Sequence, residues 1–242
     1  METLTKTFDI PSQGIFGGPK EVTVRPMTTK EEKMLYTAKD GTFLEKIVAS
    51  CVVEPKDIDI KKLHPSDITF LLYMIREMTF GPTYQQQMQC PYCNLKQDIE
   101  IDITEMKNYL LDFDELEKCF NIELPVCKDK LRLKLLSQGD MEDIANIVKR
   151  KARRDLKEED LDGYEYVYRF ASLIETINGE ERDINEVLDY VDNLNLRDFN
   201  EIKKALSSLK IGLDTSNIRV CKNCGEEVEV FGVTVPEFFR SF

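Results

Sequence analysis

A chain of 242 residues is one large domain or two small ones, long enough to bury a core without staples. Its 45 Asp and Glu against 33 Lys and Arg leave a net charge of −12, which argues against a phosphate-binding surface, and no apolar run approaches the length of a membrane span. The one His, His64, leaves little material for general acid–base chemistry, and the start Met1-Glu2-Thr3-Leu4-Thr5-Lys6 lacks the apolar run of a signal peptide, which points to a reducing compartment.

In chain order, Phe8 and Ile10 alternate with polar residues, Pro11-Ser12-Gln13-Gly14 turns, and Val22 and Val24 alternate with Thr23 and Arg25, so the N-terminus reads as a small β unit. Thr28-Thr29-Lys30-Glu31-Glu32 is a capping box with Thr at the N-cap, and it opens a helix that runs to about residue 39 and stops at Asp40-Gly41. A second helix spans about 42–53, with Phe43, Leu44, Ile47, Val48 and Cys51 at helical spacing. Ser66 caps a third, whose stripe is Ile68, Leu71, Leu72, Ile75 and Met78, and Gly81-Pro82 ends it. The segment 97–103 alternates as a half-buried strand, and Thr104 caps a short helix ending near Leu110. Leu131, Leu133 and Leu135 alternate with Arg132 and Lys134 as a strand. Helices follow from Asp140 to the basic run 149–154 and over about 161–177, 184–191 and 196–209. The chain returns as a strand around 218–220 and ends in an aromatic tail with Phe231, Phe238, Phe239 and Phe242.

The residues that carry chemistry are two matching pairs, Cys90-Pro91-Tyr92-Cys93 and Cys221-Lys222-Asn223-Cys224. Together they supply the ligand count and spacing of a closed, structural tetrahedral zinc site. Alternating segments follow both pairs, 97–103 after the first and 226–231 after the second, so each pair is expected at the tip of a hairpin. Asn94 and Gly225, directly after the pairs, suit a left-handed turn that aims backbone amides at the thiolates. The alternatives are two redox motifs, a disulfide, or iron in place of zinc. A redox pair opens a helix after a strand, and a structural disulfide is rare in a reducing compartment.

Other candidates read as structure. The basic run 149–154 is a solvated helix end, partly neutralised by nearby acids, since its charges point all round the helix. His64 precedes Pro65 at a helix entry and is a loop residue rather than a fifth ligand. Cys51, Cys119 and Cys127 lack paired spacing, and Cys51 sits on an apolar helical face. Of Glu31 and Glu32, a cap accounts for one and solvent for the other. No Gly-rich phosphate loop and no nucleophile motif is present. The aromatic tail docks either on its own core or on a partner, with Phe238, Phe239 and Phe242 as the contact candidates.

The runs Ile10-Pro11-Ser12-Gln13-Gly14, Val24-Arg25-Pro26-Met27-Thr28-Thr29-Lys30-Glu31-Glu32 and Arg76-Glu77-Met78-Thr79-Phe80-Gly81-Pro82, with Tyr84 and Cys90-Pro91-Tyr92-Cys93, resemble the baseplate hub proteins of T-even-type contractile-tailed bacteriophages. The similarity is clearest over roughly the first 105 residues. It implies a non-enzymatic structural protein of the phage tail that builds the baseplate hub. Such a protein acts in multiple copies in a symmetric assembly and packs against other baseplate and tail proteins. It would be made in the host cytoplasm and carried in the virion tail. No catalytic residue is carried over. A second reading is a zinc-ribbon regulator that touches a polymerase or nucleic acid, which the acidic charge disfavours; a third is an enzyme whose site the sequence does not reveal.

The expected architecture is α+β: a small zinc-knuckle β unit holding both cysteine pairs, with a largely helical insertion between them. The segments are 1–103, with the N-terminal β unit, helices and first knuckle; 104–212, the insertion; and 213–242, the second knuckle and a tail that completes the β unit.

Overall fold

In the computed structural model the described residues are 4–37, 43–152, 161–232 and 236–239. The chain mixes helices with small antiparallel sheets and divides into two compact units. Unit 1 is Met1–Ile60, Pro65–Leu110 and Ile211–Phe242; unit 2 is Lys61–His64 and Leu111–Lys210.

Unit 1 starts with β1 (Lys6–Asp9) and β2 (Glu21–Val24), paired antiparallel from Lys6↔Val24 to Asp9↔Glu21. Val22 and Val24 are buried, as their alternation predicts. Helix α1 (Thr29–Thr37) begins at the expected box: the Thr28 amide and hydroxyl both donate to Glu31 Oε2, at 2.8 and 2.7 Å. Glu31 also takes a 2.9 Å bond from Arg25 Nη2 and a 2.6 Å bond from Ser50 Oγ, and is fully buried, while Glu32 is exposed. Burial alone would raise the Glu31 pKa; the donors Arg25, Ser50 and Thr28 outweigh it and hold the carboxyl well below the usual range. The expected stop at Asp40-Gly41 lies outside the described residues.

Helix α2 (Phe43–Cys51) buries Ile47, Val48 and Cys51. It ends before Val53, contrary to expectation, because Val52 and Val53 form β3 (Val52–Glu54), which pairs with β2 through Val24↔Val52. Two β-branched residues beside an open strand edge gain more as a ladder than as a last helical turn. Helix α3 (Pro65–Phe80) starts one residue before the expected Ser66 cap, with Pro at its first position, where the missing amide is harmless. It buries Ile68, Phe70, Leu71, Leu72, Tyr73, Met74 and Ile75, so its apolar surface is broader than one stripe. Gly81, at φ 93°, ends it.

Two strands then form a hairpin, β4 (Thr83–Gln89) with β5 (Lys96–Asp102), in register from Thr83↔Asp102 to Gln89↔Lys96. The cap expected at Thr104 belongs to Asp102: its side chain accepts the Thr104 amide at 2.8 Å over a single 3₁₀ turn, Ile103–Glu105. Strand β6 (Asn108–Tyr109) follows in place of further helix.

Unit 2 contains more sheet than the sequence suggests. Asp112 caps α4 (Phe113–Phe120), after which β7 (Asn121–Glu123), β8 (Lys130–Leu133) and, later, β9 (Ile174–Ile177) make a three-stranded antiparallel sheet in the order β7-β8-β9. Only β8 was legible as a strand. Its Leu131 and Leu133 are buried, and it stops short of Leu135. Helix α5 (Gln138–Ala152) carries Lys149, Arg150 and Lys151 exposed in its last turn, and the rest of that basic run lies outside the described residues. Helix α6 (Leu161–Ser172) is shorter than expected, since Ile174 and Ile177 leave it for β9. Helices α7 (Ile184–Asp192) and α8 (Leu196–Ser208) match their periodicity and are capped by Asp183 and Asn195. Leu136, Ile144, Val148 and Tyr168 form a buried cluster in this unit.

The chain re-enters unit 1 through β10 (Gly212–Leu213), which pairs with β6 as Gly212↔Tyr109 and Leu213↔Asn108. Gly212 sits at φ 95°, and an added Cβ would lie 2.7 Å from Ser66 Cβ, so only glycine fits. A second hairpin follows, β11 (Ser216–Val220) with β12 (Glu227–Phe231), in register from Ser216↔Phe231 to Val220↔Glu227. A 3₁₀ turn, Pro236–Phe239, closes the described chain.

Candidate metal centre

Each cysteine pair lies at the tip of a hairpin, Cys90–Cys93 between β4 and β5 and Cys221–Cys224 between β11 and β12. The two tips share one backbone plan. The Cys90 amide donates to the Leu95 carbonyl and the Asn94 amide to the Cys90 carbonyl, both at 2.9 Å. At the other tip the Cys221 amide donates to Glu226 and the Gly225 amide to Cys221, again at 2.9 Å. The fourth and fifth residues after the leading cysteine therefore play the same parts in both turns. Asn94 and Gly225 hold the left-handed conformation their types suggest, at φ 59° and 78°.

The four sulfurs converge. Cys90 Sγ lies 3.6 Å from Cys224 Sγ, and Cys93 Sγ lies 3.6 Å from Cys221 Sγ. All four fall within 4.8 Å of one another. A disulfide requires about 2.05 Å, so neither contact is one. A tetrahedron of thiolates around a metal at about 2.3 Å has edges of about 3.8 Å, close to the spacing here. The donor set and the spacing fit a closed four-thiolate metal site. Because each of these two contacts runs from one hairpin to the other, an ion there would join two turns far apart in the sequence. Neither pair opens a helix, unlike a redox motif.

The electrostatics are uneven. The Asn223 side chain and then the Leu95 amide pull the Cys93 pKa down to about 6. The amides of Cys224 and Asn223 lower that of Cys221. At Cys224 the Glu226 amide pulls down, but burial and the thiols of Cys90, Cys221 and Cys93 prevail and push it up to about 12. Amides aimed at sulfur favour thiolates, while four thiols this close oppose one another's ionisation unless a cation sits among them.

One residue outside the cysteines binds the two tips together, and the sequence reading missed it. Gln97, buried on β5, accepts the Lys222 amide at 2.9 Å through Oε1 and donates to the Val220 carbonyl at 3.3 Å through Nε2. It thus clasps the backbone on both sides of Cys221. The available signal was a glutamine at the inward register of a strand whose other inward positions are Ile99 and Ile101. Two further bonds link the hairpins: Gln86 Nε2 to the Phe231 carbonyl at 3.0 Å and Arg219 Nη2 to the Glu100 carbonyl at 3.2 Å.

The remaining candidates lie elsewhere. His64 stands before α3, and burial lowers its pKa to about 4. Cys51 is buried, and that burial pushes its thiol up to about 12. Cys119 and Cys127 are apart from the thiol cluster, which is the one group of its kind among the described residues. Phe238 and Phe239 are 4% and 1% exposed. The Phe238 ring packs 4.7 Å from Tyr73 and 4.9 Å from Tyr84, and its carbonyl accepts Arg76 Nε at 3.3 Å. In the chain by itself these two rings fill its own core and leave little surface for a partner. Phe242 lies outside the described residues.

No curated protein and no solved structure matches the chain. One family does, and its match runs through the insertion as well as the hairpins: the model described as T4 bacteriophage base plate protein covers residues 1–240. The chain belongs to the T4 bacteriophage base plate protein family.

Proposed function

We propose that this chain is a non-enzymatic assembly component of the baseplate hub, held in shape by one structural zinc ion bound to Cys90, Cys93, Cys221 and Cys224. The family makes it a structural protein of the phage baseplate, whose partners are other tail proteins. The observation that carries the metal reading is the convergence of four sulfurs from two hairpins within 4.8 Å. Zinc suits this set better than the hard, oxygen-seeking cations, and four thiolates leave no open position for a substrate or water. The ion would supply cross-linking rather than chemistry. It would fix the β4–β5 hairpin to the β11–β12 hairpin and so hold the two ends of unit 1 together across the chain excursion between them. The acidic balance, with a net charge of −12, supports protein partners over nucleic acid. Assembly would take place in the host cytoplasm, and the protein would remain in the virion tail in several symmetric copies.

The test has two parts. Purified protein should contain one zinc per chain by elemental analysis, and cells infected with phage lacking the chain should yield no complete baseplates in electron micrographs. Protein purified without zinc that takes up none when zinc is added, and melts at the same temperature with and without it, would refute the zinc centre. Complete, contractile tails without the chain would refute the assembly role.

A further inference from the structure

The two hairpins carry very different outward faces. On β4–β5 the exposed column of β4 is Gln85, Gln87 and Gln89, facing Glu100, Asp98 and Lys96 on β5. All are polar, as a solvated face should be. On β11–β12 the exposed column of β11 contains Ile218 and Val220, 64% and 58% exposed, and Phe231 on β12 is 59% exposed. The register places Ile218 opposite Glu229 and Val220 opposite Glu227, both exposed. This face is therefore Ile218 and Val220 in one column beside Glu229 and Glu227 in the other, with the Ser216–Phe231 pair at one end. Neither glutamate takes part in an ion pair among the described residues. A carboxylate directly across from an isoleucine gains nothing from its neighbour within the hairpin. Both columns gain from a partner whose aliphatic row covers Ile218 and Val220 while its cations meet Glu227 and Glu229.

We infer that the outer face of β11–β12 is a docking surface for a segment of another baseplate protein with a matching pattern: a row of aliphatic side chains beside a row of Lys or Arg. The inference rests on the assembly role proposed above and gives it an address. Charge decides the occupant. A second copy of this chain would bring glutamate against glutamate if the same faces met, and it carries a net charge of −12. A basic, apolar segment meets both columns at once. The face also belongs to the hairpin that bears Cys221 and Cys224, so the metal centre would stiffen the surface on which the partner lands.

The experiment uses whole tails assembled in infected cells. Ile218→Asp and the double charge reversal Glu227→Lys/Glu229→Lys should each cut incorporation of the chain into tails about tenfold or more, as loss of an interface anchor does. Zinc content and melting temperature of the purified variants should match the parent, and Gln87→Lys on the opposite hairpin should incorporate normally. A photo-crosslinking residue at position 218 should capture a peptide of another tail protein that carries both aliphatic residues and Lys or Arg. Changing those cations to Glu in that protein should rescue the double reversal. Normal incorporation of both variants overturns the inference, as does a crosslink to a second copy of this chain or to a peptide without cations. If those results come while deletion of the chain still abolishes baseplates, the docking surface fails and the assembly role stands. Normal baseplates after deletion would fell both.

Discussion

At the first hairpin tip the left-handed position is held by Asn94, and the fourth residue after the second cysteine is Gln97; at the second tip those places belong to Gly225 and Val228. The hydrogen bonds that shape the two turns are otherwise the same, with each leading cysteine bonded to the fourth and fifth residues after it. What a metal needs of a knuckle is thus the backbone path and two sulfurs, and this much is duplicated. The rest has diverged. The first hairpin reaches across to clasp the second through Gln97, while the second presents Ile218, Val220 and Phe231 outward. A shared turn does not force a shared role, because side chains beyond the turn answer to whatever each face touches.

The largest expected effect tests the shared part. Cys90→Ser and Cys221→Ser each remove one of the four proposed ligands. Each should lose tight zinc binding and on the order of 4 kcal/mol of stability or more, a fall in melting temperature of roughly 10 °C for a chain this long. The two variants should fall alike in calorimetry and zinc titration; a large gap between them would mean that one tip folds without the ion. A smaller effect tests the divergence. Gln97→Ala should weaken zinc affinity about 10- to 100-fold, as loss of an outer-shell partner does. The equivalent change on the other hairpin, Val228→Ala, should leave affinity unchanged in competition with a chromophoric chelator. If the two behave alike, the clasp is not one-sided. The smallest effect concerns the turn itself. Nothing lies within 4 Å of a Cβ added at Gly225, so Gly225→Ala meets only the cost of the left-handed backbone, about 1 kcal/mol in a denaturant titration. Gly225→Asn should recover part of that, since Asn94 already holds the same conformation at φ 59°.

The parts of this fold that were legible in the sequence were those that local chemistry decides. The cysteine spacing, the left-handed residues after each pair, the alternation in β5 and the Thr28–Glu31 box each rest on a few adjacent residues, and each has the local form expected. Elements decided by a neighbour were missed. In β4 the buried residues are Tyr84 and Met88, four apart with glutamines between them, a spacing that does not mark a strand without β5 beside it. Ile174 and Ile177 follow α6 with no breaking residue, and only the edge of β8 explains why they leave the helix. Val52 and Val53 repeat that case beside β2. For the site, the four sulfurs were visible from sequence and Gln97 was not, because its partners lie on a strand and turn that fold places beside it.

The short ladder between β6 and β10 has a consequence for the history of the chain. It pairs Tyr109 with Gly212, so the chain leaves unit 1 and comes back at adjoining backbone positions. A two-residue turn could bridge them and keep every strand partner in unit 1. The Leu111–Lys210 excursion is in that sense a cassette: one recombination event could gain, trade or discard it while every strand of unit 1 kept its partner, and of its own unit only Lys61–His64 would stay behind to be covered anew.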